Sequence, residues 1–252
     1  MFPVLVCVTQ KDEDYIEEFV KYHLALGFKR IYLYEDAPTY ARLLETYDNV
    51  VHLPHCAKPL DHFVAHYLFS ADVTHVAHLA ADEFIVLKKH STLSEFIDEF
   101  IVGDCQGVAL NWRHFGSSDR LVQTQEPTTL RFTRCQRTSD PHIKTLFKKD
   151  NFVRFNTCHT VVLSSGHIQT TDHRVVCGLF NPNGDTSVAQ LNRYKSKTFP
   201  EFRRIPRPFY EDVVARFRSY DCNETEDFFA RDFFLNICDW KPTTPRPCAP
   251  GV

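Results

Sequence analysis

Between residues 3 and 111, short apolar runs alternate with segments of helical period, and this alternation constrains the fold more than any other feature of the chain. Pro3 to Val8 is a continuous apolar run of strand length, the pattern of a strand covered on both faces. Ile16, Phe19, Val20, His23 and Leu24 then recur at helical spacing behind an acidic first turn, and Gly27 stops that helix. Arg30 to Tyr34 predicts a second strand, Thr39 to Tyr47 a helix, Val50 to Leu53 a short strand and Leu60 to Ala71 another helix. Val76 to Leu79 and Phe84 to Leu87 predict strands on either side of Asp82-Glu83, with a helix over Leu93 to Phe100 and a strand over Val108 to Asn111. Such alternation predicts an α/β fold with a mainly parallel, doubly wound central sheet flanked by helices. Right-handed crossovers place the ends of strands 4–8, 30–34 and 76–79 along one edge, where open α/β sheets bind ligands. The polar residues falling there are Thr9, Gln10, Lys11, Glu35, Asp36, Asp82 and Glu83.

The second half is less regular. Leu130 to Phe132, Phe152 to Phe155 and Thr160 to Leu163 predict short strands, and Phe209 to Tyr220 and Glu224 to Asp239 predict helices. Residues 242–252 hold four prolines and predict an extended tail. With no internal repeat and no linker, one domain is expected over residues 1–240, ahead of a Pro-rich tail over 241–252.

Composition narrows the function classes. The 252 residues carry a formal net charge of -3, without the basic excess that phosphate-backbone binding requires, so no nucleic-acid partner is expected. No stretch approaches the ~20 apolar residues of a membrane span, and the apolar start at residues 1–8 runs straight into an acidic segment rather than a signal-peptide pattern. Nine cysteines, an odd number without any CxxC pair, read as free thiols of a reducing compartment; the expected location is cytoplasmic. Dinucleotide, P-loop and zincin fingerprints are missing, and with 8 glycines a phosphate-cradling glycine loop is not expected.

Three features remain that carry chemistry. Asp82-Glu83, between two apolar strands, offers carboxylates that suit Mg²⁺ or Mn²⁺, or else forms a solvated or capping turn. Thirteen histidines include His62 and His66 at i, i+4, a spacing that permits metal binding but that packing and hydrogen bonding explain as well. The basic run Arg193-Tyr194-Lys195-Ser196-Lys197 can clamp a diphosphate or form a solvated face.

Taken in order, several segments resemble glycosyltransferase family 92 (DUF23) and related family-2-like enzymes. The segment from Lys11 through Tyr15-Ile16-Glu17-Glu18-Phe19 and Tyr22-His23 to Gly27-Phe28 is similar to that family's opening. Ile31-Tyr32-Leu33-Tyr34-Glu35-Asp36 matches the following hydrophobic strand, and Ala80-Ala81-Asp82-Glu83-Phe84 falls where the family carries D-x-D-E-F. Asn111-Trp112-Arg113-His114-Phe115-Gly116-Ser117-Ser118 is close to N-W-R-x-F-G-S-S, and Asn192-Arg193-Tyr194-Lys195-Ser196-Lys197 with Glu201-Phe202 resembles N-H-Y-R-T-K followed by E-F. A capsid-glycosylating domain of large algal DNA viruses is similarly short, which would make the compartment host cytoplasm.

The resemblance implies a GT-A fold, with residues 1–110 as a nucleotide-sugar half and 111–240 as an acceptor half. It implies transfer of a hexosyl or deoxyhexosyl group from a UDP- or GDP-sugar to a glycan or glycoprotein acceptor, aided by Mn²⁺ or Mg²⁺. Thr9, Lys11 and Asp36 would then lie near base and ribose, Lys144, Lys195 and Lys197 near the diphosphate, and Trp112 and Arg113 on the donor-sugar side. Asp82 and His159 would hold the metal. An inverting transfer needs a general base on the acceptor side, for which Asp119, Asp140 and Asp172 are the candidates. Two departures matter: Ala80 stands where the pattern has its first acid, and Arg193 where it has His. Ala80 opens the alternative of an inactive sugar-nucleotide or glycan-binding module; a nucleotidyltransferase is the third reading.

Overall fold

The computed structural model describes residues 1–9, 15–35, 45–204 and 212–237. The expected helix over Thr39 to Tyr47 and the Pro-rich tail lie largely or wholly outside these residues. The strands are β1 (Pro3–Val8), β2 (Arg30–Glu35), β3 (Val50–Pro54), β4 (His75–Leu79), β5 (Glu83–Leu87), β6 (Cys105–His114), β7 (Arg134–Cys135), β8 (Ile143–Lys148), β9 (Phe152–Phe155), β10 (Val161–Leu163), β11 (His167–Gln169), β12 (Ala189–Arg193) and β13 (Thr225–Glu226). The helices are α1 (Ile16–Leu26), α2 (Pro59–Phe63), α3 (Leu93–Phe100), α4 (Thr128–Arg131), α5 (Phe199–Arg204), α6 (Val213–Tyr220) and α7 (Phe229–Ile237). After α2 the chain makes one π-helical turn, Val64–Leu68.

Among the described residues one nine-stranded sheet has the order β3-β2-β1-β4-β8-β6-β12-β5, with β11 pairing β6 off that path. β3, β2, β1 and β4 are parallel throughout, as the strand–helix alternation predicts. β8 runs antiparallel between β4 and β6, and β12 pairs parallel with β6 and antiparallel with β5. The fold is therefore α/β with a mostly parallel central sheet. Its period-2 side chains separate two cores: Leu5, Cys7, Ile31 and Leu33 face α1 and α3, while Val4, Val6, Tyr32 and Tyr34 face the packing around Phe63 and Leu68. Helix α3 begins with the capping box that Thr92-x-x-Glu95 specifies, each partner bonding the other's backbone N–H at 3.2 Å.

Two expectations differ from the structure. Leu130 to Phe132 is not a strand: residues 128–131 form α4 because the buried Glu18 carboxylate of α1 accepts hydrogen bonds from the Thr128 and Thr129 backbone N–H groups at 2.6 and 2.8 Å. This caps a helix start from a distant element. The long helix expected from Glu224 begins only at Phe229, because Thr225–Glu226 pairs with β7.

Candidate functional site

Strand register gathers a set of polar side chains on one face of the sheet, at the edge where β6 and β12 end and β8 begins. Leu110 pairs with Lys144, Leu191 with Trp112 and Arg193 with both His114 and Glu83. Since side chains alternate along a strand, Trp112, His114, Lys144, Arg193 and Glu83 share that face. His142, immediately before β8, joins them: its ring stacks on the Trp112 indole at 4.8 Å and 24°.

Three cations lie here without a carboxylate in ion-pair range among the described residues. The Arg193 guanidinium sits 3.7 Å from the Trp112 ring centroid, and the Arg193 Nε is buried with no hydrogen-bond partner. The Lys195 ammonium donates to Tyr220 Oη at 3.1 Å, and burial depresses its pKa. Lys197 is 4% exposed, its ammonium 3.8 Å from the Tyr15 ring centroid, on a backbone with φ of 50°. Asp82 is the carboxylate they surround. Burial pushes its carboxyl up, but Arg193, Lys197 and Lys195 more than offset this and hold it below the ordinary range.

The remaining expected residues fall into three groups. Thr9 and Lys144 lie at the edge but are engaged within the protein. The Thr9 hydroxyl donates to the Tyr34 carbonyl at 3.1 Å. The Lys144 ammonium donates to the Cys158 carbonyl at 2.8 Å and lies 3.5 Å from Glu83, whose carboxylate also accepts from the Ala80 N–H at 2.8 Å. Lys144 and Glu83 thus brace the 80–83 turn. His159 lies beside the indole, 5.1 Å from Trp112 between ring centroids, with its Nδ1 2.9 Å from the Ile143 carbonyl oxygen.

Arg113 is not brought to the cluster. One residue from Trp112, it points to the opposite face, where it donates to Asp227 at 2.8 Å and to the Gln136 carbonyl at 3.1 Å. Asp119 stands in a left-handed turn with φ of 59°, 71% exposed and ion-paired with Arg134. Asp172 is in the turn after β11, paired with Arg174; β11 lies against residues 105–108 of β6, roughly four residues or ~13 Å short of Trp112. Asp140 alone of the three candidate bases joins the cluster. Its carboxylate lies 2.7 Å from His142 Nδ1 and 3.4 Å from His114 Nε2. Burial raises the Asp140 pKa, but the two imidazoles more than offset this and hold it well below the carboxylate range. Lys11 and Asp36 lie outside the described residues.

His114, His142 and Tyr220 were not singled out from the sequence. The signal was present for two of them: Trp112-x-His114 puts both on one face of a strand, and Asp140-x-His142 has the short spacing at which a carboxylate reaches a neighbouring imidazole. Tyr220 arrives from α6, which no local pattern places beside residue 195.

These residues do not fit a resident divalent cation. Among the described residues Ala80 supplies no carboxylate, the Glu83 and Asp140 carboxylates are occupied, and Asp82 faces three positive charges. Among the described residues no three His, Cys, Asp or Glu side chains converge on one point. The His62 and His66 rings pack tilted at 46° with centroids 4.5 Å apart, and His62 Nδ1 lies 2.9 Å from Tyr34 Oη.

No protein-family model matches the chain, and no curated protein matches it. Among solved structures it is similar to the bifunctional IspDF from Campylobacter jejuni, at 8% identity and a TM-score of 0.35, over 60% of this chain and 42% of that one. The chain thus spans about two fifths of the IspDF length. A chain assigned as a glucose-1-phosphate thymidylyltransferase from Bacillus anthracis, in complex with a sucrose, gives 7% identity and a TM-score of 0.35 over 97% of this chain and 98% of that one. The galactosyltransferase LgtC, in complex with donor and acceptor sugar analogues, gives 12% identity and a TM-score of 0.38 over 92% and 100%. Overlaps this small carry no functional argument. No helix among the described residues is long and apolar enough to cross a membrane.

Proposed function

We propose that this chain is a GT-A-type glycosyltransferase that binds the diphosphate of a UDP- or GDP-sugar through Arg193, Lys195 and Lys197. The observation that carries the reading is the cluster of three cations, Lys197 buried and Arg193 and Lys195 partly so, with no carboxylate in ion-pair range among the described residues, at the carboxyl edge of a mostly parallel sheet. Three clustered cations that share the single carboxylate of Asp82 leave a net positive charge, and a dianionic ligand is the natural compensation. The order of motifs matching family-92 and family-2-like enzymes supports the same reading.

In this reading the bond from the anomeric carbon to the diphosphate oxygen breaks, and negative charge grows on the leaving group. Arg193, Lys195 and Lys197 stabilise that charge where a divalent ion would otherwise serve. Trp112, covered by Arg193, closes one wall against water. Asp82 orients the cations rather than acting alone as a metal ligand. Calorimetry with UDP and GDP should show binding in EDTA. Absence of binding by either nucleotide at millimolar concentration, with and without Mn²⁺, would refute the reading.

Mn²⁺ is expected to leave that affinity nearly unchanged. Ala80→Asp restores a second carboxylate at the 80–83 turn and should make nucleotide binding Mn²⁺-dependent, by about tenfold. An Ala80→Asp chain indifferent to Mn²⁺ would show that this turn does not face the diphosphate.

The alternative of an inactive binding module differs only in turnover. Release of nucleoside diphosphate from a bound sugar nucleotide separates the two.

A further inference from the structure

We propose that His142 is the general base that deprotonates the acceptor hydroxyl, with Asp140 as the residue that positions it. The inference rests on the donor reading above and names the residues of its acceptor side.

The geometry is that of a carboxylate–imidazole dyad. Asp140 Oδ1 lies 2.7 Å from His142 Nδ1 and 2.9 Å from the His142 backbone N–H. A carboxylate on Nδ1 fixes the proton there, so the Nε2 lone pair is left to accept one. No protein group bonds Nε2 among the described residues, and the side chain is 36% exposed. The ring is held flat: Trp112 stacks on it at 4.8 Å, and Phe180 packs edge-on at 4.7 Å. The groups facing it are Asp140, His159 with ring centroids 5.8 Å away, and Arg193 across the shared indole. Asp140 is itself pinned from its other oxygen by His114 Nε2 at 3.4 Å. His114 is 7% exposed and covered by Tyr220, so His142 is the imidazole that an acceptor can reach.

This arrangement explains why Asp140 itself is a poor base. Asp140 already accepts from two imidazoles and is held far below the pKa a base at neutral pH needs. It acts through His142. In the step, His142 Nε2 takes the proton of the acceptor O–H as that oxygen bonds to the anomeric carbon. The anomeric C–O bond to the diphosphate breaks, and its electron pair leaves on the diphosphate oxygen beside Arg193, Lys195 and Lys197. His142 then returns its proton to water. The Trp112 indole, in contact with both His142 and Arg193, ties the acceptor-side base to the leaving-group side.

The experiment uses the whole chain and a panel of UDP- and GDP-sugars, with calorimetry for binding and release of nucleoside diphosphate, water as acceptor, for turnover. His142→Ala is expected to keep the nucleotide Kd and to lower kcat by about 10²- to 10⁴-fold, with partial rescue by added imidazole. Asp140→Asn should lower kcat while leaving donor KM unchanged. Nitrogen-15 NMR of the imidazoles should place the His142 proton on Nδ1 in the parent and on Nε2 in Asp140→Asn. A His142→Ala chain with parental kcat overturns the proposal. So does a parent that binds nucleotide yet turns over none of the sugars, or a His142 proton on Nε2 in the parent. Failure of nucleotide binding itself would strike the donor reading instead, so the two failures are distinct.

Discussion

Lys197→Met is expected to stabilise the unliganded protein and at the same time to weaken nucleoside-diphosphate binding by about 10- to 100-fold. The two effects have opposite signs because they share one cause. The Lys197 ammonium is 4% exposed and rests on the Tyr15 ring at 3.8 Å, without an ion pair among the described residues. A cation–π contact returns only about 0.5–2 kcal/mol, and the attraction of Asp82 is shared with Arg193 and Lys195, so the return stays below the several kcal/mol that removing an ammonium from water costs. Methionine fills the same volume and removes the charge, so a net gain of about 1–2 kcal/mol should raise Tm by roughly 2–8 °C in a protein this size. The ligand side runs the other way. A charge-assisted hydrogen bond to phosphate is worth about 1.5–3 kcal/mol, which is the 10- to 100-fold in Kd. Differential scanning fluorimetry with and without UDP reads both at once. A Tm that falls, with ligand-induced stabilisation intact, would show that Lys197 is structural.

The largest loss of stability is expected from Glu201→Gln, at about 3–5 kcal/mol or roughly 6–20 °C in Tm. Glu201 and Arg131 form a two-point ion pair at 2.8 and 3.1 Å, with side chains 2% and 1% exposed. Tyr15 Oη also donates to Glu201, and the Thr198 backbone N–H donates to it at 3.0 Å. Removing one charge strands the other in a buried site. Replacing both, as Arg131→Met with Glu201→Leu, should recover most of the loss, since a well-packed apolar pair often substitutes for a buried ion pair. The pair also sets an acid limit. Burial raises the Glu201 pKa, but Arg131 more than offsets this and depresses it from 4.5 to about 2. A depressed carboxyl contributes its stability in full above 4.5 and loses it as pH falls from 4.5 toward 2. The doubly apolar variant should therefore show a flatter Tm-versus-pH curve in that window. A single Glu201→Gln variant as stable as the parent would show that the pair is solvated in solution.

How much of this was legible in the sequence depends on how local its cause is. β1 to β5 and the middle of β6 were readable because each carries a short, mostly apolar run, and helix α1 between β1 and β2 carries its own period and a stop signal at Gly27. β12 was not. Ala189–Arg193 has apolar residues only at alternate positions, and its buried polar residues, Gln190 and Asn192, are satisfied by each other and by Asp227 in a distant element. A strand whose inward side chains are amides lacks the hydrophobic signature. α4 failed for a related reason, since the carboxylate that caps it is Glu18. In the candidate site, the basic run was visible as charge, but its burial came from β12 being an interior strand. Arg113 stands away from the cluster, which a motif match does not reveal, since it gives residue identity without the face: in a strand, one position decides between the cluster and Asp227.

β12 also dictates the order in which the molecule can be finished. β5 finds no sheet neighbour among the described residues except β12, and β6 is paired with β12 along one side at Trp112–His114. Until residues 189–193 leave the ribosome, β5 and the end of β6 are open edges, the kind that pair with other chains. The pairing, once available, closes a loop of about a hundred residues, which places it late in folding. Edge closure and assembly of the cation cluster are thus completed together: a nascent chain stalled before residue 189 has open sheet edges and none of the three cations.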